Sequence, residues 1–348
     1  MLAPRPPDSL AYDWAVALLG FWFLGGLFLD GWAHHHIPEL ESFFTPWHAV
    51  FYSGFLAVAA FLMASAIRNR GQGYSWRQAV PRGYEHAILG VLIFLAGGLG
   101  DMVWHELFGV EADIEALLSP THLILALGGT LMVSGPLGAG WQRQRSPQEL
   151  PHGWVTLLPQ LISVTFVLSF WSFMTQFAHP LVDTWAAAGY RPPAPRGITM
   201  LRQALGVTGF LLQTGILMGP VLLIMQRWRL PFGSLGLVFA LNATLMSFMH
   251  DQYRFIPAAA AAGLGADLLI YWLKPTVVRP RALRVFACTV PIGYYACYYL
   301  VLAVTQGIGW SVHLWTGSIV LSGVVGLLLS YLLVPPFQER SPATLLSF

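Results

Sequence analysis

Charged side chains are scarce in this sequence. Only 10% of its 348 residues are Asp, Glu, Lys or Arg, whereas about 25% is usual in soluble proteins. The 18 basic and 16 acidic residues give a net charge of only +2, which excludes the strongly basic surface of a nucleic-acid-binding protein. Hydrophobic residues make up 56% of the chain. This composition predicts an integral membrane protein whose main surroundings are the lipid bilayer.

Cysteine is also nearly absent. Cys288 and Cys297 lie nine residues apart in one apolar stretch, so they cannot form a C-x-x-C site, and we interpret both as small buried hydrophobic residues. The first apolar run follows a single basic residue, Arg5, and ends in a polar segment instead of a small-residue cleavage site. We therefore expect it to be a retained membrane span and not a signal peptide.

Long apolar runs predict the architecture, since about 20 apolar residues are needed to cross a bilayer as a helix. We predict an all-α, polytopic transmembrane helical bundle that forms a single membrane domain over residues 1–348. Its ten expected spans are residues 11–31, 46–67, 84–105, 120–138, 154–177, 200–225, 232–249, 256–273, 285–304 and 311–333. Residues 11–138 hold two similar hairpins, and residues 154–333 form the remaining spans.

The distribution of Lys and Arg predicts the orientation. With the N-terminus inside, the inner connections carry 14 of the 18 basic residues, as the positive-inside rule requires. We therefore expect both termini to be cytoplasmic, in a plasma membrane of the bacterial type. Nine of the 11 histidines and ten of the 16 carboxylates then fall in one outer layer.

The first two predicted hairpins share a polar pattern, which indicates an internal duplication. Both read D-x3-H, then an acidic-x-Glu pair, then [ST]-P-x-H. The first copy is Asp30-Gly-Trp-Ala-His34, Glu39-Leu-Glu41 and Thr45-Pro46-Trp47-His48, and the second is Asp101-Met-Val-Trp-His105, Asp113-Ile-Glu115 and Ser119-Pro120-Thr121-His122.

This pattern predicts two metal sites. An Asp and a His four residues apart share one face of the outgoing helix, and Ser or Thr before Pro begins the returning helix at the depth of the second His. The expected ligands are Asp30, His34 and His48 in one hairpin and Asp101, His105 and His122 in the other. Glu41 and Glu115 occupy equivalent places, either as extra ligands or as partners that orient a histidine.

Two histidines and one carboxylate with open positions suit copper, iron or zinc, and copper is slightly favoured. A single D-x3-H could be a simple helix cap, so the prediction depends on its repetition. Further possible ligands at outer span ends are His179, His250, Asp251 and His313, each of which is by itself more typical of an interfacial residue. Within His34-His35-His36, only His34 has the register of Asp30, because adjacent helical residues point in different directions.

The two hairpins resemble a known family. The stretch from Asp30-Gly-Trp-Ala-His34 through Phe44-Thr45-Pro46-Trp47-His48 to Phe51-Tyr52 resembles the signature of the membrane C subunit of copper membrane monooxygenases, the particulate methane and ammonia monooxygenases. The segment from His105 through Glu115 and Pro120 to His122 is similar to the later motif of that subunit, although Asp101 stands where the family has Asn. The resemblance covers residues 25–130.

The resemblance implies a copper-dependent membrane monooxygenase. Its two copper sites, near the outer membrane face, would activate O2 to hydroxylate a small apolar substrate, with electrons from a partner subunit or another donor. Other classes stay open: a protein that transports or handles copper or another metal, a membrane zinc hydrolase that uses metal-activated water, and a structural subunit without metal. Midplane polar groups are typical of transporters, whereas the ionisable groups here crowd one face.

Overall fold

The computed structural model describes residues 5–7, 9–37, 45–109, 113–143, 153–189 and 194–335. These residues contain α-helices and short 3-10 helices, and no β-strand occurs within the described ranges. The α-helices are α1 Leu10–His36, α2 Pro46–Gly71, α3 Glu85–Phe108, α4 Asp113–Leu118, α5 Pro120–Val133, α6 Gly135–Arg143, α7 Trp154–Met174, α8 Arg196–Arg227, α9 Ser234–Phe248, α10 Ile256–Leu273, α11 Pro280–Thr305 and α12 Val312–Leu333. The all-α polytopic bundle that the sequence predicts is therefore confirmed.

Each of the ten predicted spans corresponds to a helical segment. Eight segments among the described residues are long and apolar enough to cross a membrane. The pair α5 and α6, which bends by 42° at Ser134, makes a ninth if it is taken as one span, whereas the predicted span 232–249 corresponds to α9, an apolar helix of only 15 residues that is shorter than a full span. The placement of both termini on the cytoplasmic side stays a prediction.

Helix α7 lies at the centre of the bundle. Of its most apolar stretch, 83% is buried, whereas the corresponding values for the other long helices range from 28% to 56%. The hairpin of α1 and α2 packs on one side of α7, through α1, and the hairpin of α3 and α5 contacts it through α5. On the other side, α7 contacts α8 and α9, and α9 leads on through α10 and α11 to α12.

Large apolar side chains cover the outside of the bundle. Leu18, Leu56, Leu92, Val304 and Leu332 are each more than half exposed. An apolar exterior of this extent is unfavourable in water and favourable against lipid hydrocarbon. The exterior therefore fits a lipid bilayer as the surroundings of the protein.

The two hairpins are built on the same helix crossing. A Cβ added to Gly54 would lie 2.5 Å from the Cα of Phe23, and one added to Gly128 would lie 2.8 Å from the Cα of Phe94. In each hairpin the glycine follows the second histidine by six residues and the phenylalanine precedes the aspartate by seven. The duplication therefore includes the packing of the helices as well as the polar residues.

A buried carboxylate joins several helices at the end of the bundle away from the repeated polar residues. Asp13, fully buried in α1, accepts hydrogen bonds from the Tyr84 hydroxyl at 2.8 Å and from Gln160 Nε2 at 3.0 Å. It also forms an ion pair with Arg143 Nη2 at 2.6 Å. These contacts connect α1 to α6, to α7 and to the start of α3.

Removal of this carboxylate should destabilise the bundle. In Asp13→Ala, the Arg143 guanidinium loses its buried counter-ion, and such losses cost about 3 kcal/mol. We expect a clear fall in the midpoint of thermal unfolding in detergent, a smaller fall in Asp13→Asn, and almost none in Glu106→Ala, whose carboxylate is exposed. An unchanged midpoint in Asp13→Ala would show that the network contributes little.

The second half of the chain contains a comparable contact. Asp267 of α10 accepts the backbone N–H groups of Leu235 at 3.1 Å and Gly236 at 3.0 Å, at the first turn of α9. A Cβ on Gly263 would lie 2.5 Å from the carbonyl oxygen of Leu235, so α9 and α10 meet backbone to backbone.

Cys288 and Cys297 are unpaired, and both are partly exposed instead of fully buried.

Candidate metal centre

The first group of possible metal ligands lies where α1 ends and α2 begins. Asp30 and His34 are one turn apart near the end of α1, with 3.9 Å between Asp30 Oδ2 and His34 Nε2. His48, in the first turn of α2, places its Nδ1 3.3 Å from Asp30 Oδ1. One donor atom from each residue lies within 4.8 Å of the other two. Asp30 is buried, whereas the His34 side chain is 42% exposed.

The second group repeats this arrangement between α3 and α5. Asp101 Oδ2 lies 3.4 Å from His105 Nε2, and Asp101 Oδ1 lies 3.5 Å from His122 Nε2. The three donor atoms are again within 4.8 Å of one another. Asp101 is more deeply buried than Asp30, with only 2% of its surface exposed. The structure thus brings together all six residues that the repeated motif singles out, in two groups of three.

These spacings are close to those of a bound metal ion. Nitrogen and oxygen ligands at about 2.1 Å from an ion are at most about 4.2 Å apart, so a small contraction of each group suffices. Asp30 Oδ1 is buried and accepts no well-directed hydrogen bond from a described residue, although His48 Nδ1 lies 3.3 Å away. A buried carboxylate oxygen in that state is costly, and a cation is one partner that would satisfy it. The donor set and the orphaned oxygen therefore fit a metal ion.

Helix caps orient one histidine in each group. Thr45 caps α2 by accepting the backbone N–H of His48 at 3.1 Å, and its Oγ1 lies 3.0 Å from His48 Nδ1. Ser119 caps α5 in the same way, and its Oγ lies 2.7 Å from His122 Nδ1. Both caps and both prolines at the helix starts were expected from the sequence. In the second group the hydroxyl contacts the ring nitrogen that points away from Asp101 and so orients His122, whereas in the first group it contacts the same His48 Nδ1 that faces Asp30.

Removal of the cap hydroxyl should weaken metal binding without removing a ligand. In Ser119→Ala, the ring of His122 loses its 2.7 Å contact and α5 loses its N-cap. Loss of such an outer partner typically lowers metal affinity about 10- to 100-fold. We expect a shift of that size in competition with a chelator, and near-normal affinity in Ser119→Thr. Equal affinities in Ser119→Ala and wild type would show that the cap does not orient the ring.

The two groups differ in how the aspartate is held. In the second hairpin, the Thr121 hydroxyl donates to Asp101 Oδ1 at 2.7 Å. The equivalent residue in the first hairpin is Trp47, which has no hydroxyl, and this explains why Asp30 Oδ1 lacks a hydrogen bond. His105 has a further partner, because its Nδ1 donates to the carbonyl oxygen of Gly109 at 3.3 Å, leaving Nε2 as the possible ligand.

Tyr52 lies between the two groups, and the sequence analysis named it only as the end of the family-like signature, without a role. Its ring is nearly parallel to that of His48, with 6.2 Å between the ring centroids. On its other side it packs on Gly98 of α3, where an added Cβ would lie 3.5 Å from the tyrosine oxygen. It interacts electrostatically with both Asp30 and Asp101. The sequence signal that could have identified Tyr52 is its position four residues, or one helical turn, after His48. The equivalent position in the second hairpin is Ala126, so the tyrosine is a feature of the first hairpin and not of the repeat.

Apart from Glu41, whose position is not described, the remaining candidate residues lie outside these groups. Glu115 is exposed on α4, His313 is exposed at the start of α12, and Glu41 lies outside the described residues. His179 is buried in the connection after α7, where its Nδ1 accepts the backbone N–H of Leu181 at 3.1 Å. Burial lowers the pKa of His179 to about 3, so its imidazole is neutral. It lines a small cavity between α7, α8, α9 and α11.

His250 and Asp251 contact the end of α1 instead of the two groups. The His250 ring meets His35, and Asp251 bonds to His36. The prediction that the three adjacent histidines cannot share one ion is confirmed, since His34, His35 and His36 each have different neighbours. Met246 and Met249, which precede His250, are fully buried in the apolar core.

The protein is thus a membrane-spanning helical bundle with two Asp/His/His groups that could each hold a metal ion. Comparison of the chain with protein-family models, with curated proteins and with solved structures found no match.

Proposed function

We propose that the protein is a copper-dependent membrane monooxygenase, in which one or both Asp/His/His groups take part in O2 activation. The observation that supports this proposal most directly is the repetition: two groups with the same three residue types lie in similar geometry at one end of the bundle. Structural caps would not require both histidines and the aspartate to be gathered twice. The resemblance of both motifs to the C subunit of copper membrane monooxygenases points in the same direction.

The donor set suits a transition-metal ion with open positions. Asp30, His34 and His48 would hold one ion, and Asp101, His105 and His122 would hold the other. Imidazole and carboxylate suit copper, iron and zinc, and copper would supply the one-electron chemistry that O2 activation requires. Three ligands from the described residues are gathered in each group, and an ion held by three protein ligands keeps a position for a small molecule. The exposed face of His34 gives access from the surroundings.

The residues of the chain have distinct tasks in this proposal. The two aspartates supply the negative charge that balances a cation in an apolar setting, and the hydroxyls of Thr45 and Ser119 hold the rings of His48 and His122. Tyr52 places a phenol between the groups, where it can donate a hydrogen bond. Phe51 and Phe94 pack behind Tyr52 and exclude water from this side.

Hydroxylation also sets requirements outside this chain. One oxygen atom of O2 enters the substrate and the other leaves as water, which consumes two protons and two electrons from a donor. A partner subunit or another reductant must therefore deliver the electrons. A small apolar substrate would reach the groups from the bilayer, since membrane helices surround them. The position of the groups at helix ends, away from the middle of the spans, favours an enzyme over a transporter.

The test is O2 consumption coupled to product formation. Copper-loaded protein in lipid nanodiscs is given a chemical reductant and a short alkane, and the alcohol is measured by gas chromatography. We expect wild type and the control His313→Ala to form alcohol, and the double variant His34→Ala, His105→Ala to form none. Full turnover in that variant would contradict the proposal. Zinc-dependent cleavage of an ester or amide substrate without O2 would instead favour a hydrolase.

A further inference from the structure

A pair of histidines lies at the same end of the bundle as the group of Asp30, His34 and His48. His35, at the end of α1, meets His250, in the turn after α9, with 4.4 Å between the ring centroids and an angle of 50° between the rings. Both side chains are accessible, since His35 is exposed and His250 is partly buried. Two imidazoles from distant parts of the chain are therefore in contact at the end of the bundle that holds the Asp/His/His groups.

The hydrogen bonds of these rings leave lone pairs available. His35 Nε2 lies 2.9 Å from Gln176 Oε1, and an amide oxygen only accepts, so Nε2 carries the hydrogen and Nδ1 carries the lone pair. No hydrogen bond joins that Nδ1, or either ring nitrogen of His250, to a described residue. A histidine that donates one N–H to an oxygen while the other nitrogen stays free is the usual arrangement of a metal ligand.

The surroundings hold the pair in place and add negative charge. His36 Nε2 bonds to Asp251 Oδ2 at 3.0 Å, and the Tyr253 hydroxyl donates to Asp251 Oδ1 at 3.0 Å, which fixes the turn next to His250. Asp251 has a φ of +55°, a left-handed conformation that is unusual for a residue other than glycine. Asp183 also interacts electrostatically with His250.

We propose that His35 and His250 form a third metal site, which binds a divalent transition-metal ion and passes it to the Asp30 group. Imidazole nitrogens are suitable ligands for copper, zinc and nickel ions. The site holds fewer gathered donors than the two Asp/His/His groups, so it binds more weakly and exchanges faster. Its ligand His35 is adjacent in sequence to His34, the exposed ligand of the Asp30 group, so the two sites share the last turn of α1 although their rings face different neighbours.

Only the transfer step of this inference rests on the proposed function. The experiment tests the third site and the proposed function separately. The protein is purified in detergent, stripped with a chelator and titrated with Cu²⁺. In the variant with His34, His48, His105 and His122 all changed to Ala, only the His35–His250 site is left. We expect one Cu²⁺ per chain in this variant, with nitrogen couplings in its electron paramagnetic resonance spectrum, and none after the further change His250→Ala.

At saturation, the wild-type protein should bind three Cu²⁺ ions per chain. The His250→Ala variant should bind two, and the control variant His313→Ala should bind three. Copper loading of the Asp30 group should be several-fold slower in His250→Ala, with the same end point. A four-histidine variant that binds no copper, or binds it equally well after His250→Ala, would overturn the third site. An unchanged loading rate would overturn the transfer role.

A structural role for the pair gives a different result. If His35 and His250 only clamp α1 to the turn after α9, His250→Ala lowers the midpoint of thermal unfolding and leaves the copper count unchanged, which contradicts the proposal. His250→Gln provides a second variant with an uncharged polar side chain, in case the alanine variant does not fold. If the four-histidine variant binds as many ions as wild type, the proposed function fails, whereas loss of one ion in His250→Ala would still support the third site.

Discussion

Replacing Asp101 with alanine is expected to remove the metal ion of the second group and leave that of the first. Asp101 is the most buried of the six candidate ligands, and it lies within 3.5 Å of a nitrogen of both His105 and His122. Its loss takes away the only carboxylate that the group contains, together with the acceptor of the Thr121 hydroxyl. The effect on affinity should exceed the about 10- to 100-fold that loss of an outer partner costs.

The measurement is the metal content of the purified variant, compared with Asp101→Asn and Glu115→Ala. Asparagine is nearly isosteric and retains an oxygen acceptor, so this variant should retain the fold and bind the metal less tightly. Glu115 is an exposed carboxylate in the same hairpin and outside the group, so its loss should not change the metal content. A full complement of metal in Asp101→Ala would show that Asp101 is a structural residue and not a ligand.

Replacing Gly54 with leucine should disrupt the first hairpin. An added Cβ would lie 2.5 Å from the Cα and 2.7 Å from the backbone nitrogen of Phe23, and backbone atoms cannot move aside as a flexible side chain can. Helices α1 and α2 must then separate, which moves His48 away from Asp30. Overpacking of this kind costs about 1–3 kcal/mol, and more where backbone atoms collide. We expect a lower midpoint of thermal unfolding and loss of the metal ion at the Asp30 group alone.

Gly25→Leu is the matched control, because an added Cβ there meets no atom within 4 Å. Both substitutions place leucine in a membrane helix next to the same crossing, so they differ chiefly in the space available. Gly25→Leu should retain both metal ions and the wild-type midpoint. Equal behaviour of the two variants would mean that the close crossing of α1 and α2 is not required for the site.

The sequence was sufficient to predict the two groups because their ligands are set by local rules. Asp30 and His34 share a helix face by their spacing, and so do Asp101 and His105. Thr45-Pro46 and Ser119-Pro120 fix where the returning helices begin, and the connections are too short to allow other pairings of neighbouring helices. The duplication also includes apolar contacts. Phe23 packs against Gly54 and Phe94 against Gly128, at the same distances in sequence from the aspartate and the second histidine of each hairpin. An extended comparison of the two hairpins could have revealed these pairs.

Contacts between distant helices could not be predicted in this way. Tyr52 lies against Gly98 because α2 packs on α3, and neither residue belongs to the repeated motif. The pairing of His35 with His250 depends on how α1 meets the turn after α9, across 215 residues of sequence. Asp13 and its partners on α3, α6 and α7 are a similar case. Such contacts follow from the order in which helices pack around α7, and periodicity within one helix does not contain that information.

The central claim is that the two repeated hairpins bind metal through their aspartates and histidines. The most direct test is elemental analysis by mass spectrometry of protein purified in detergent without added metal, beside the variant in which His34, His48, His105 and His122 are all alanine. We expect one or two copper ions per chain in wild type, with the weaker ion at His35 and His250 lost during purification, and none in the variant. Absence of metal from both proteins, or equal metal in both, would contradict the claim.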